Sequence, residues 1–317
     1  MIDYKAAIEK GFDIIDKRGD RVPFIFNNVQ NLYWQTLIKD WGLSLEGTRE
    51  IILKARKEGF SSLIDAIFTI DFLLRPNIGS QIISHKDKET QILFDRVHFF
   101  VNSFCEKRGI NRKELLDTDR TNFLRNKANG SYIYIGTAGA KTLGRGPTLQ
   151  NIHWSEIGHF PNTEIINAEK LVVGAEEQVA TGVGRIFRES TGNMQGDFFY
   201  SECERARKGE GHFKFRFFPW YKFDEYRTNV EIFEPTQEEK VVMEQYGLDK
   251  TQMFWYRQKM DGYKTKTLGL REYPTTPEEA FLAGGAGFFD PDILKACLDR
   301  IREPIKTGGL AMDGSWI

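Results

Sequence analysis

The stretch Ile51-Ile52-Leu53-Lys54-Ala55-Arg56-Lys57-Glu58-Gly59-Phe60-Ser61-Ser62 decides the reading of this chain. Ile51 to Leu53 form an apolar run too short for a helix, and Leu63, Ile64, Ile67, Phe68 and Leu74 then recur at helical spacing. The spacing predicts a strand, a basic turn containing one glycine, and a helix. At such a junction the free amides of the first helical turn favour an anion. Ser61 and Ser62 add hydroxyls suited to magnesium or to the helix cap. Against the pattern G-x-x-x-x-G-K-[ST], Phe60 stands where the lysine belongs and Ala55 replaces the first glycine. Taken alone, the stretch reads equally well as a phosphate-binding loop or as an ordinary strand-to-helix turn with solvated Lys54, Arg56 and Lys57.

At 317 residues the chain can hold one large α/β domain, or a domain with an appendage. With 44 basic and 45 acidic residues and a net charge of -1, it has no global positive field, so any contact with nucleic acid is local. Cys105, Cys203 and Cys297 lie far apart, with neither metal-ligand spacing nor an even number for disulfides. They read as reduced thiols. The most apolar window, Leu63 to Leu74, is short and interrupted by Asp65 and Asp71, and the N-terminus carries no signal-peptide pattern. A soluble intracellular protein without a membrane partner is expected.

Outward from the loop, short apolar runs fall at 51–53, 81–84, 132–135, 149–153 and 185–187, separated by stretches long enough for crossover helices. That pattern predicts an α/β fold, a mostly parallel sheet with helices on both faces. The helical intervals are Leu63 to Leu74, Lys88 to Cys105 and Asn167 to Ala180. Phe213-Lys214-Phe215-Arg216-Phe217 alternates aromatic with basic, as a half-buried strand does, and reads as an antiparallel edge. Residues 1–48 read as helices and loops, 49–270 as the core, partly helical after 222, and 271–317 as a small lid or linker. Two prolines, Pro274 and Pro277, open that last region, a glycine cluster at 284–287 follows, and it reads as a linker cut short.

A phosphate loop implies a later strand in the same sheet that ends in carboxylates. Leu149-Gln150-Asn151-Ile152-His153-Trp154-Ser155-Glu156 fits, except that serine replaces the first acid. Glu156 is the general-base candidate, although a lone glutamate after a strand is also common surface decoration. A third element, Phe187-Arg188-Glu189-Ser190-Thr191-Gly192-Asn193, ends a strand in small hydroxyl and amide residues. Such side chains can bond a γ-phosphate and report its loss; they also favour a plain turn.

In order and content these elements resemble the ATPase part of the large terminase subunit, the DNA-packaging motor of tailed bacteriophages, over nearly the whole chain. The resemblance implies a P-loop NTPase of the additional-strand, catalytic-glutamate type. It assigns adenine binding to Gln30 in Asn27-Asn28-Val29-Gln30, with Gln35 as second candidate. Lys54 through Ser62 match the family's Lys-Ala-Arg-x-x-Gly-Phe-Ser-Ser/Thr loop, which puts Lys54, Arg56, Lys57, Gly59, Phe60, Ser61 and Ser62 at ATP. Arg56 is expected to supply the missing charge, since a guanidinium is always ionised and binds phosphate in a fork. Ser61 is expected to hold Mg2+, Glu156 to position water, and Ser190, Thr191 and Asn193 to couple hydrolysis to movement. Phe218-Pro219-Trp220-Tyr221 and Tyr273-Pro274-Thr275-Thr276-Pro277-Glu278-Glu279-Ala280-Phe281 are also family-like. Arg145, in Leu143-Gly144-Arg145-Gly146-Pro147, matches an arginine that reaches a neighbouring subunit's nucleotide; a solvated or DNA-bound arginine is the alternative.

The implied activity is ATP hydrolysis that drives double-stranded DNA into a procapsid, in the cytoplasm of an infected bacterium. The implied partners are the portal protein, a small terminase subunit and copies of the chain in a ring on the procapsid. DNA would be gripped by its backbone, with Arg120, Arg125 and Lys127, clustered in a polar loop, as candidate contacts. Asp290, Asp292 and Asp313 are scattered, so no nuclease activity is expected from these residues. Two rival readings stay open. One is a non-catalytic nucleotide-binding or docking module of the same fold. The other is a helicase-like translocase, for which the chain lacks an Asp-Glu-x-His/Asp box and a second motor domain.

Overall fold

The structure is a computed structural model that describes residues 1–137, 148–161 and 167–282. Each apolar run forms a strand: β3 (Arg49–Lys54), β4 (Gly79–Ser84), β7 (Tyr132–Thr137), β8 (Asn151–Ser155) and β9 (Arg185–Ser190). With β5 (Leu116–Arg120), β6 (Phe123–Asn126) and β10 (Lys214–Phe218) they build an eight-stranded sheet in the order β10-β3-β9-β8-β4-β7-β6-β5. From β10 to β7 all neighbours are parallel; β6 and β5 close the far edge as an antiparallel hairpin. β9 therefore stands between the loop strand β3 and the acid-bearing strand β8, the additional-strand arrangement.

Both faces of the sheet are covered because successive residues of a buried strand point opposite ways. Ile52, Ile82 and Phe187 join the core beneath α1 (Tyr4–Gly11), α2 (Asn28–Trp41), α3 (Phe60–Leu74) and α4 (Asp87–Arg108). Ile51, Leu53, Ile83, Trp154 and Ile186 join the opposite core beneath α6 (Ala168–Glu176) and α7 (Phe198–Arg207). A fully buried side chain of this size contributes about 1.5–3 kcal/mol, so a one-residue slip of any central strand is strongly disfavoured. The two acids that interrupt α3 are themselves buried and paired, Asp65 with Arg96 and His153 and Asp71 with Arg185.

Three expectations are corrected. The alternation at 213–217 does mark an edge strand, but β10 runs parallel to β3, because α7 carries the chain back along the sheet after β9. Alternation reports half-burial, not direction. Residues 1–48 are not only helices and loops: β1 (Asp13–Ile15) and β2 (Arg21–Pro23) pair as a hairpin between α1 and α2. Arg120 and Arg125 lie on the strands of the β5–β6 hairpin, with Arg125 opposite Tyr132 of β7, and Lys127 follows β6 in the turn to β7, so two of the three sit on strands at the sheet's edge rather than in a loop.

A short helix α5 (Arg112–Leu115) precedes β5, and α8 (Gln237–Tyr246), α9 (Lys250–Asp261) and α10 (Lys266–Glu272) follow β10. The two proline-containing motifs meet here. The fully buried Trp220 ring stacks on Tyr256 at 4.3 Å, and its Nε1 donates to Thr275 Oγ1 at 3.3 Å. Among the described residues no helix is long and apolar enough to cross a membrane. Asp290, Asp292, Asp313 and the glycine cluster lie outside the described residues.

Candidate nucleotide site

Between Lys54 and Phe60 the chain turns with Lys57 at φ 61° and Gly59 at φ 86°. Gly59 is required there, since a Cβ would lie 2.7 Å from Gln30 Nε2 on a left-handed backbone. The two glycines of G-x-x-x-x-G are five positions apart, so counting back from Gly59 puts Lys54, not Ala55, in the first glycine's place. Phe60 packs inward, its ring 5.4 Å from Tyr33 and 4.6 Å from Phe218. It anchors α3 where a lysine would otherwise face the loop.

The basic residues of the loop go different ways. Lys54 is buried, with Nζ 3.0 Å from Glu156 Oε1 and 3.1 Å from Glu189 Oε2. Burial alone would lower its pKa, but the two carboxylates outweigh burial and hold it above the ordinary lysine value. Arg56 is half exposed and turned onto Glu272 at 3.0 Å; its carbonyl accepts from the Tyr226 hydroxyl. Lys57 is exposed. Glu58 is buried with neither carboxyl oxygen hydrogen-bonded, and burial pushes its pKa well up, which favours the neutral form.

Glu156 follows β8 at φ 54° and ψ 44°, a left-handed conformation that costs a non-glycine residue about 1–2 kcal/mol. The strained turn brings its carboxylate to the 190–193 segment. Glu156 Oε2 accepts from the Thr191 N–H at 3.2 Å, Ser190 Oγ at 3.3 Å and Thr191 Oγ1 at 3.5 Å. Asn193 Nδ2 donates to Gly158 O at 2.9 Å, and its Oδ1 accepts from Arg271. A Cβ on Gly192 would meet the Ala280 carbonyl oxygen at 1.8 Å, so only glycine fits this turn. Lys54, Ser61, Glu156, Ser190 and Thr191 thus come together in one cluster.

Glu189, His153 and Asp65 belong to the cluster and were not singled out from the sequence. Glu189 Oε1 accepts from Ser61 Oγ at 2.6 Å and Ser155 Oγ at 2.7 Å and lies 3.3 Å from His153 Nε2. The His153 Nδ1 contacts Asp65 at 2.8 Å, and Asp65 in turn pairs with Arg96 at 2.8 Å. The signal available in the sequence is a polar or charged residue inside an element that is buried along its length, β8 for His153, β9 for Glu189 and α3 for Asp65. Its meaning depends on the β8–β9 register, which sets Ser155 opposite Glu189.

Gln30 caps α2 and ties it to the loop: its Nε2 donates to Gly59 O at 2.8 Å and its Oε1 accepts from the Asn27 N–H at 3.0 Å. Beside it opens a cavity of about 770 Å³ walled by Phe24, Asn27, Gln30, Lys57, Gly59 and Ser62, among others. That volume suits a small-molecule ligand of nucleotide size. Gln35 is exposed and contributes no wall. Arg145 lies outside the described residues. Among the described residues no cluster of three or more His, Cys, Asp or Glu is arranged to hold a metal. Mg2+ bound chiefly through phosphates needs only a few hard oxygens from protein, and Ser61 with Glu189 offers that donor type.

No protein-family model matches the chain, and no curated protein sequence matches it. Among solved structures it is similar to the large terminase of bacteriophage HK97, with 14% identity over 93% of this chain and 58% of that one, at a TM-score of 0.59. It is also similar to the large terminase of a thermophilic bacteriophage in complex with ADP, with 14% identity over 82% of this chain and 56% of that one, at 0.51. The chain spans less than two thirds of either protein's length. At such identity the likeness establishes the fold alone, the α/β fold of the matched parts of those two proteins.

Proposed function

We propose that this chain is the ATP-hydrolysing motor domain of a phage large terminase, which drives double-stranded DNA into a procapsid. The observation that carries the reading is Glu156, a carboxylate at the end of β8 bonded both to Lys54 of the loop and to the Ser190–Thr191 turn. A water-positioning acid joined to a phosphate-side cation and to a separate turn is what a hydrolysis-driven motor requires. The thermophilic phage's terminase, similar in fold, is solved with ADP, which supports a nucleotide as ligand.

In this mechanism the amides at the start of α3 and the Lys54 ammonium hold the phosphates. Lys54, rather than Arg56, replaces the missing loop lysine, because Lys54 lies among the carboxylates while Arg56 is engaged by Glu272. The base and ribose occupy the cavity beside Gln30. Glu156 orients the attacking water and accepts its proton. When the γ-phosphate leaves, its loss is read through Ser190, Thr191 and Asn193. Bound Mg2+ would neutralise charge on the phosphate oxygens, with Ser61 as its protein hydroxyl.

The full assembly we propose is a ring of copies on a portal, served by a small terminase subunit in the infected bacterium's cytoplasm, with Arg145 reaching the neighbour's nucleotide. ATP turnover of the purified chain with double-stranded DNA, run beside Glu156→Gln, tests the reading. A wild-type rate no higher than that of the variant, in the assembled ring as well, would sink it in favour of a non-catalytic module. For Arg145, mixing Arg145→Ala with Glu156→Gln chains should restore part of the activity; no rescue refutes action in trans.

A further inference from the structure

We propose that Glu189, carried by the additional strand β9, is the metal-side carboxylate of this site, the counterpart across the sheet of the acid that Ser155 replaces. The inference deepens the nucleotide reading above and rests on it. Phosphate loops pair their Ser/Thr hydroxyl with an acid that shares the magnesium, ordinarily one residue before the water-positioning glutamate. Here that position is Ser155, which cannot carry charge. The β8–β9 register sets Ser155 directly opposite Glu189, and Ser155 Oγ donates to Glu189 Oε1 at 2.7 Å. Ser61 Oγ, the loop's own hydroxyl, donates to that same oxygen at 2.6 Å. One carboxylate oxygen thus receives both hydroxyls that flank the metal position in such folds, so the acid has moved one strand sideways.

Glu189 also meets the other requirements of the role. It is fully buried, with Lys54, His153 and the Ser61 hydroxyl gathered around its carboxylate. His153, Asp65 and Arg96 form a chain behind it that fixes its orientation. Its second oxygen lies 3.1 Å from Lys54 Nζ, so the carboxylate is paired with the loop's buried cation. Glu156 is unsuited to this duty. It is partly exposed and committed to the Ser190–Thr191 turn, whereas Glu189 touches the loop hydroxyl.

The test is equilibrium binding of a fluorescent ADP analogue to the purified chain, with Mg2+ and with chelator. Wild type should bind at least about tenfold more tightly with Mg2+, the equivalent of about 1.4 kcal/mol. Glu189→Gln should lose most of that increment while its metal-free affinity stays equal or rises, since a negative charge near the phosphates has gone. General loosening of the fold would weaken both conditions together. Ser155→Asp combined with Glu189→Gln restores an acid on β8 and should restore the increment. It also serves if the single variant does not fold: an increment supports the proposal and its absence overturns it. A Glu189→Gln protein that keeps the full Mg2+ increment overturns the assignment and leaves the nucleotide reading intact. A wild type that binds no nucleotide in either condition overturns both.

Discussion

Arg185 and Glu189 stand on one face of β9 and head two buried charge clusters with different fates. Arg185, at the start of the strand, is sealed: it donates to Leu45 O at 2.9 Å, Ser44 O at 2.7 Å and Tyr4 Oη at 2.8 Å, and it pairs with Asp71. Asn151 completes Asp71 with a bond at 2.9 Å. Glu189, near the strand's end, borders Ser61, Ser155 and Lys54, and through Lys54 reaches the partly exposed Glu156. Similar chemistry therefore serves as a fastener at the amino end of the sheet and as a site at the carboxyl end. Open α/β sheets bind ligands outside the carboxyl ends of their strands, and the two clusters divide along that rule.

The sharpest way to break this comparison is Arg185→Ala. It leaves the buried Asp71 with only the longer contact to Arg75, at 3.5 Å, and should cost about 3 kcal/mol in urea denaturation; a loss below about 1 kcal/mol would mean that the amino-end cluster is no fastener. Next comes pH. Burial opposes protonation of His153, but Asp65 and Glu189 outweigh it and raise its pKa to about 9. A raised folded-state pKa gives stability that is complete below the unfolded value near 6.5 and lost as pH climbs through 9. The loss, on the order of 3 kcal/mol, should appear as a falling urea midpoint between those limits, and His153→Gln should flatten the curve.

Glu156→Gln should do the reverse of Arg185→Ala. Turnover falls by about a hundredfold or more, while stability moves by less than about 1 kcal/mol because Lys54 keeps Glu189. The smallest effect belongs to Arg56→Ala. Its half-exposed pair with Glu272 contributes at most about 1 kcal/mol, and nucleotide affinity should change by less than about threefold. Lys54→Ala should weaken the same affinity by about tenfold or more. If the two alanine variants rank the other way in nucleotide titrations, Arg56 is the phosphate ligand after all.

Much of the fold was legible because its central strands are buried on both faces and carry short apolar runs: those at 51–53, 81–84 and 185–187 each lie inside a strand. The hairpins were not. β1, β2 and β5 are short and half polar, so neither length nor period separates them from loops. Within the candidate site, Ser61, Glu156, Ser190 and Thr191 could be named from local pattern, since each sits at an end of a legible element, and Lys54 from the family resemblance. Glu189 could not, because its meaning comes from a neighbour on another strand, Ser155, and from a hydroxyl more than a hundred positions away, Ser61. Arg56 illustrates the same limit. Nothing local to the loop announces its pair with Glu272 on α10.

Arg271 and Glu272 are consecutive residues of α10, yet one holds Asn193 of the turn after β9 and the other holds Arg56 of the phosphate loop. The Arg56 N–H is bonded to the Glu272 carbonyl as well, at 3.0 Å. A seven-residue helix is thereby a shared handle for two parts of the site that lie on different strands. Mechanical load applied to α10 reaches both at once, and the turn cannot draw away from the loop without tearing one grip or dragging the helix with it. In the motor proposed above, α10 would therefore move with both parts of the site together.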